Sequence, residues 1–153
     1  MNVLSVDPSS STSGIALFIN SELRMVAHHN SNKKLSLDKR LIEFGAFLRS
    51  IRGKSKLDYV SILKATHQRN TNTIRMIAFF EAVAMMKCAE WGATLYHIND
   101  SSARKLGLGK GNLTKEECYN KVVGIHKLSK FSDGGSDESD AVVCGLACIN
   151  FNG

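Results

Sequence analysis

Three aspartates stand out by type and position. Asp7 closes the short apolar run Val3-Leu4-Ser5-Val6, and a buried strand rarely ends in an acid without a use for it. Asp137 and Asp140 stand three apart in Ser136-Asp137-Glu138-Ser139-Asp140-Ala141, so on a helix they share one face. Plainer roles exist for each alone. Asp7 could cap the turn that follows it, and acids in a first helical turn are common for dipole reasons. Two acids opening an otherwise apolar helix are a stronger signal. Brought together, three carboxylates repel one another unless a cation holds them. Hard oxygen ligands of this kind suit Mg²⁺ or Mn²⁺.

The intervening chain decides whether they meet. After Asp7 comes the turn Pro8 to Gly14, then an apolar run from Ile15 to Ile19. Glu22 to His29 alternates apolar and polar residues, which reads as a half-exposed strand. Ser36 to Arg52 changes period: Leu37, Leu41, Phe44, Leu48 and Ile51 form one helix face, and Gly53 stops it. Asp58 to Leu63 reads as a fourth strand and Ala93 to Ile98 as a fifth. Between them, Lys64 to Thr71 is a polar loop, with Thr71 or Asn72 expected to cap a helix running to about Trp91. Asp100 to Leu106 reads as a short helix, followed by the basic glycine loop Gly107 to Asn112. Thr114 and Glu117 have capping-box spacing for a helix to about Lys127. A last helix runs from Ser136 to about Asn150.

The order is β-β-β-α-β-α-β-α, with short helical pieces before the last helix. It predicts an α/β fold: a ribonuclease H-like mixed sheet of five strands, the first three antiparallel, with helices on both faces. In that fold the end of the first strand lies beside the start of the last helix, and Asp7, Asp137 and Asp140 converge.

Composition sets the outer limits. The 153 residues suffice for one domain, and one proline without a Gly/Ser-rich linker argues against a second. A 43% hydrophobic content excludes disorder as the main state. No apolar run approaches the roughly 20 residues of a membrane helix, and the start of the chain reads as a strand rather than a signal peptide. A cytoplasmic protein is expected. Cys88, Cys118, Cys144 and Cys148 lack CxxC spacing, which predicts reduced thiols and no zinc. The net charge of +6 modestly favours a polyanionic partner. The helix near 72–91 is apolar on nearly every side, from Ile74 through Phe79, Phe80 and Met86 to Cys88. Such a helix is fully buried or shared. A twofold dimer through it is the favoured expectation; an extra layer formed by the chain ends is the alternative.

Val6-Asp7-Pro8 with Ser13-Gly14, the DxxDA segment Asp137 to Ala141, and the element order together resemble the RuvC-like Holliday junction resolvases over essentially the whole chain. The short chain and the less well matched middle suggest a phage or mobile-element version. The resemblance implies a single nuclease domain, acting as a homodimer that cuts four-way or other branched DNA. It implies two Mg²⁺ ions per site, with Mn²⁺ able to substitute, held by Asp7, Asp137 and Asp140 around the scissile phosphate. Lys105 and Lys115 match family lysines near the scissile phosphate or the DNA backbone, Lys115 with a catalytic role. Lys110 is a further candidate for a phosphate contact, although a solvated surface is the default for most of the 20 basic residues. His67, Arg69, Asn70 and Arg75 match the loop and helix start that enter the junction, where His67 could stack on a base.

Lys64 departs from the pattern, which places a metal-binding glutamate at the end of the fourth strand. An ammonium there competes with Mg²⁺ and supplies no oxygen. Asp58, Glu81 and Glu138 are the other acids considered, and none is suitably placed. Either the glutamate has been replaced to block cleavage while keeping binding, which is favoured, or the natural protein carries lysine and works weakly or only binds. Three rivals remain: a dimer that binds branched DNA without cutting, an actin-like ATPase, and a related nuclease for flaps, forks or RNA–DNA hybrids. The chain is short for both lobes of the ATPase, so no nucleotide cofactor is expected.

Overall fold

The computed structural model describes residues 1–64, 70–126 and 135–153. Five strands form one sheet: β1 (Val3–Asp7), β2 (Thr12–Ile19), β3 (Glu22–Asn30), β4 (Tyr59–Leu63) and β5 (Thr94–Ile98). The helices are α1 (Leu37–Arg52), α2 (Thr71–Glu90), α3 (Asp100–Leu108), α4 (Lys115–His126) and α5 (Gly135–Asn152). The strand order is β3-β2-β1-β4-β5. The first three strands pair antiparallel, whereas β1–β4 and β4–β5 are parallel. The expected mixed ribonuclease H-like sheet is therefore present, with helices on both faces.

Alternation along the strands divides the core in two. Leu4, Val6, Ile15, Val60 and Ile62 turn towards α1 and α2, where they meet Phe44, Leu48 and Phe80. Val3, Ala16, Phe18 and Leu63 turn towards α5, where they meet Ala141, Cys144, Ala147 and Cys148. All four cysteines are free and buried.

Local differences from the sequence reading have physical causes. β2 begins at Thr12, so the turn shortens to residues 8–11. The Ser9 N–H donates to Ser13 Oγ at 2.9 Å, and the Ser13 hydroxyl donates to the Ser9 carbonyl at 3.1 Å, which closes the turn early. The cap of α2 is Asn70, one residue before the expected pair; its side chain accepts the Asn72 N–H at 2.9 Å. α3 continues through Gly107 and Leu108 instead of breaking into a glycine loop. Gly107 has no side chain, and a Cβ there would stand 2.7 Å from the Val143 carbonyl oxygen, so glycine lets α3 press onto α5. Gly109, at φ +81°, ends α3. The capping box at α4 is present: the Thr114 N–H donates to Glu117 Oε2 at 2.7 Å, and the Glu117 N–H donates to Thr114 Oγ1 at 3.2 Å.

Candidate active site

The carboxyl ends of the parallel strands are where open α/β sheets place their ligands. Asp7 is the last residue of β1. Lys64 follows the end of β4, and Asp100 follows β5 at the start of α3. The register aligns these ends: Val6 lies opposite Ile62, and Leu63 opposite Ile98. The Lys64 N–H donates to the Ile98 carbonyl at 2.8 Å, which extends the ladder by one step and fixes the Lys64 backbone at the sheet rim.

α5 brings the other two acids. Its axis is tied to the sheet from below by two strand serines that reach its backbone. Ser5 Oγ donates to the Ala141 carbonyl at 2.5 Å, and Ser61 Oγ donates to the Cys144 carbonyl at 3.0 Å. Gly14 lets the first turn of α5 settle onto β2, because any Cβ there would collide with the Asp137 carbonyl oxygen. Glu138, almost fully buried, meets His28 Nδ1 of β3 at 2.9 Å.

Asp7, Lys64, Asp100, Lys115, Asp137 and Asp140 thus line one cavity of about 170 Å³, with Pro8, Ser9, Leu63 and Ile77. Burial pushes the Asp7 carboxyl well above the ordinary carboxylate range, helped by the charges of Asp140 and Asp137. Burial also raises Asp137 and Asp140, against the opposing pull of Lys115 on both. Burial pulls Lys115 down, but the surrounding charges of Asp140, Asp7 and Asp137 outweigh it and hold the ammonium above its usual range. Lys115 Nζ stands 3.5 Å from Asp140 Oδ2.

Two residues of this site escaped the sequence reading. By local pattern Asp100 reads only as the start of a helix, although its place after the fifth strand is the signal that marks it. Arg104 carries no local signal of its role. Its Nη2 lies 3.7 Å from Asp140 Oδ1, and its Nη1 donates to the Leu113 carbonyl at 2.8 Å. Lys105, the neighbour expected to approach the phosphate, is exposed and does not line the cavity. Lys110, Asn70 and Arg75 are exposed outside the lining as well. His67 and Arg69 lie outside the described residues. The three other acids, Asp58, Glu81 and Glu138, are engaged elsewhere. Asp58 Oδ2 accepts the Asn2 N–H at 2.7 Å, Glu81 meets His97 at 2.5 Å, and Glu138 meets His28.

The donor set is therefore rich in carboxylate but does not fit a divalent ion as it stands. Among the described residues, no three His, Cys, Asp or Glu side chains are arranged so as to hold a metal. Lys115 and Arg104 already sit against Asp140, and Lys64 brings a further ammonium to the lining.

Known structures share this architecture. A RuvC structure from Thermus thermophilus superposes at a TM-score of 0.84 and 16% identity, covering 99% of this chain and 95% of that one. RuvC of the same organism in complex with Holliday junction substrate matches at 0.84 and 16%, covering 99% and 94%. The yeast mitochondrial Holliday junction resolvase Ydc2 matches at 0.67 and 9%, covering 97% and 78%. No protein-family model matches the sequence, and no curated protein does. At these identities the likeness is one of fold: over nearly its whole length, the chain has the fold of RuvC and related Holliday junction resolvases.

Proposed function

We propose that this chain is a single-domain, junction-resolving nuclease of the RuvC type whose present form binds branched DNA and is impaired in cutting it. The observation that carries the reading is the cavity at the rim of β1, β4 and β5, where Asp7, Asp100, Asp137 and Asp140 meet Lys64 and Lys115. Acids gathered at strand ends against a desolvation penalty are the mark of a working site, since stability alone would disperse them. Asp7, Asp137 and Asp140 are the proposed metal ligands of the active form, which needs an acid at position 64 to complete a Mg²⁺ site. Lys115 is the proposed phosphate-facing cation of the cavity. Lys105, Lys110 and Arg75 are exposed and available to track the DNA backbone, with Asn70 at the start of α2.

A homodimer through α2 belongs to the same proposal. Ile74, Phe79, Met85 and Met86 leave 38 to 70% of their surface exposed along this helix. A second copy would cover them, and a twofold protein suits a near-twofold junction. Among the described residues no helix is long and apolar enough to cross a membrane.

Competition binding tests the substrate. A labelled four-way junction is challenged with unlabelled linear duplex, flap, fork and RNA–DNA hybrid of the same sequences. The proposal expects junction to compete at least about tenfold better than duplex, a preference of about 1.4 kcal/mol. Equal competition by duplex would remove the junction reading, and a clear preference for flaps or hybrids would reassign the substrate.

A further inference from the structure

The misfit between this cavity and a divalent ion points to a different electrostatic design. We propose that the cavity engages a DNA phosphate without any divalent cation, its positive charge supplied by Lys64, Lys115 and Arg104. The inference rests on the branched-DNA reading above and assigns a mode of substrate binding to that same site.

The arrangement is layered. Asp140, only 6% exposed, lies deep and is flanked on one oxygen by Arg104 at 3.7 Å and on the other by Lys115 at 3.5 Å. Arg104 is held in orientation by the Leu113 carbonyl, so its guanidinium is a fixed charge and not a mobile surface group. Lys115 leaves 61% of its side chain exposed and can meet a ligand from the rim while keeping its hold on Asp140. Lys64 is exposed on a backbone pinned to Ile98. A phosphate arriving from solvent therefore meets the Lys64 and Lys115 ammonium groups at the mouth, above Asp140, which already has two cationic partners.

A divalent ion approaching the same place meets those ammonium groups too, and like charges at close range in a partly desolvated site exclude one another. A carboxylate at position 64 would invert this: it would repel the phosphate and attract the metal, so that phosphate binding becomes conditional on the cation. The single residue at the end of β4 thus selects between metal-independent holding and metal-dependent engagement.

The test uses the full chain and two readouts. Isothermal titration of Mn²⁺ into the DNA-free protein should give no saturable binding, whereas the Lys64→Glu variant should bind Mn²⁺. Junction affinity is then measured in EDTA and in Ca²⁺, which supplies a divalent ion of similar ligand preference. The unaltered chain should bind equally, within about twofold, under both conditions. Lys64→Met should lower the slope of log affinity against log salt by about one, as expected for losing one phosphate contact. Lys64→Arg should retain the full slope, and circular dichroism melting shows whether each variant is folded. Saturable Mn²⁺ uptake by the unaltered chain, or junction binding that requires Ca²⁺, overturns the inference and leaves the branched-DNA reading intact. An unchanged salt slope in folded Lys64→Met overturns it as well. Failure to prefer junction DNA in either buffer sinks the functional reading itself.

Discussion

The two faces of the sheet solve different problems. On the α1/α2 face the contacts are aromatic and aliphatic: Phe44 and Phe80 pack with ring centroids 5.2 Å apart over Leu4, Val6 and Ile62. On the α5 face the same strands present Ser5, Ser61 and Asp7, and the helix is held by hydroxyl-to-carbonyl hydrogen bonds and a close glycine approach. Both faces bury an apolar cluster. The α5 face gives some stability up at one end to gather carboxylates, since each acid there is raised by burial. α5 is thus held by apolar packing and also by polar pins of fixed geometry, which suits a helix whose first turn must hold Asp137 and Asp140 in one position.

Substitutions that break this division should differ in kind as well as size. Phe80→Ala empties the fully buried centre of the α1/α2 face and should cost about 3–5 kcal/mol. Denaturant unfolding measures that, and the fraction still folded should keep its junction preference. Gly14→Ala should cost a comparable amount, above the usual range of about 1–3 kcal/mol for overpacking, because the atoms it meets are backbone. It should also reduce junction binding strongly, because the Asp137 backbone must move away. If Gly14→Ala left binding unchanged, the close approach would have no part in building the site.

Asp7→Asn should act in the opposite direction on stability. With Asp7, Asp137 and Asp140 raised, the folded chain binds more protons than the unfolded chain between the ordinary carboxylate range and the raised values. Stability contributed by the protonated forms is present at low pH and is lost as pH rises through that window. Asp7→Asn should flatten this dependence and raise Tm at neutral pH by roughly 2–4 °C, the equivalent of about 1 kcal/mol. Melting curves across pH read it directly. The smallest effect on the folded chain belongs to Met86→Lys, at a side chain 70% exposed. It should change stability by less than about 0.5 kcal/mol, yet weaken self-association about tenfold in sedimentation runs.

Much of this was legible before any coordinates. The strands were readable because their apolar runs are short and punctuated, as at Val3 to Asp7 and Ile15 to Ile19. Thr114 and Glu117 announced the start of α4 through local hydrogen-bond chemistry, which depends on nothing distant. Asp7, Asp137 and Asp140 were readable as neighbours once the element order was known. What resisted was rotation about a helix axis. Arg104, and not Lys105, reaches Asp140 because Gly107 sets how α3 sits on α5, and that contact joins residues far apart in sequence. Asp100 was missed for a related reason. It becomes part of the site only when β5 lies next to β4, a parallel neighbour that local pattern does not announce.

On the proposed reading, the acids at the end of β1 and the start of α5 form one hydrolytic site, stalled by the ammonium at position 64. The most direct measurement is nicking of a labelled four-way junction in Mg²⁺ by the Lys64→Glu variant, with Lys64→Glu/Asp7→Asn beside it. Paired cuts are expected from the single variant and none from the double. Background cutting by a folded Lys64→Glu variant that still binds the junction would contradict that reading.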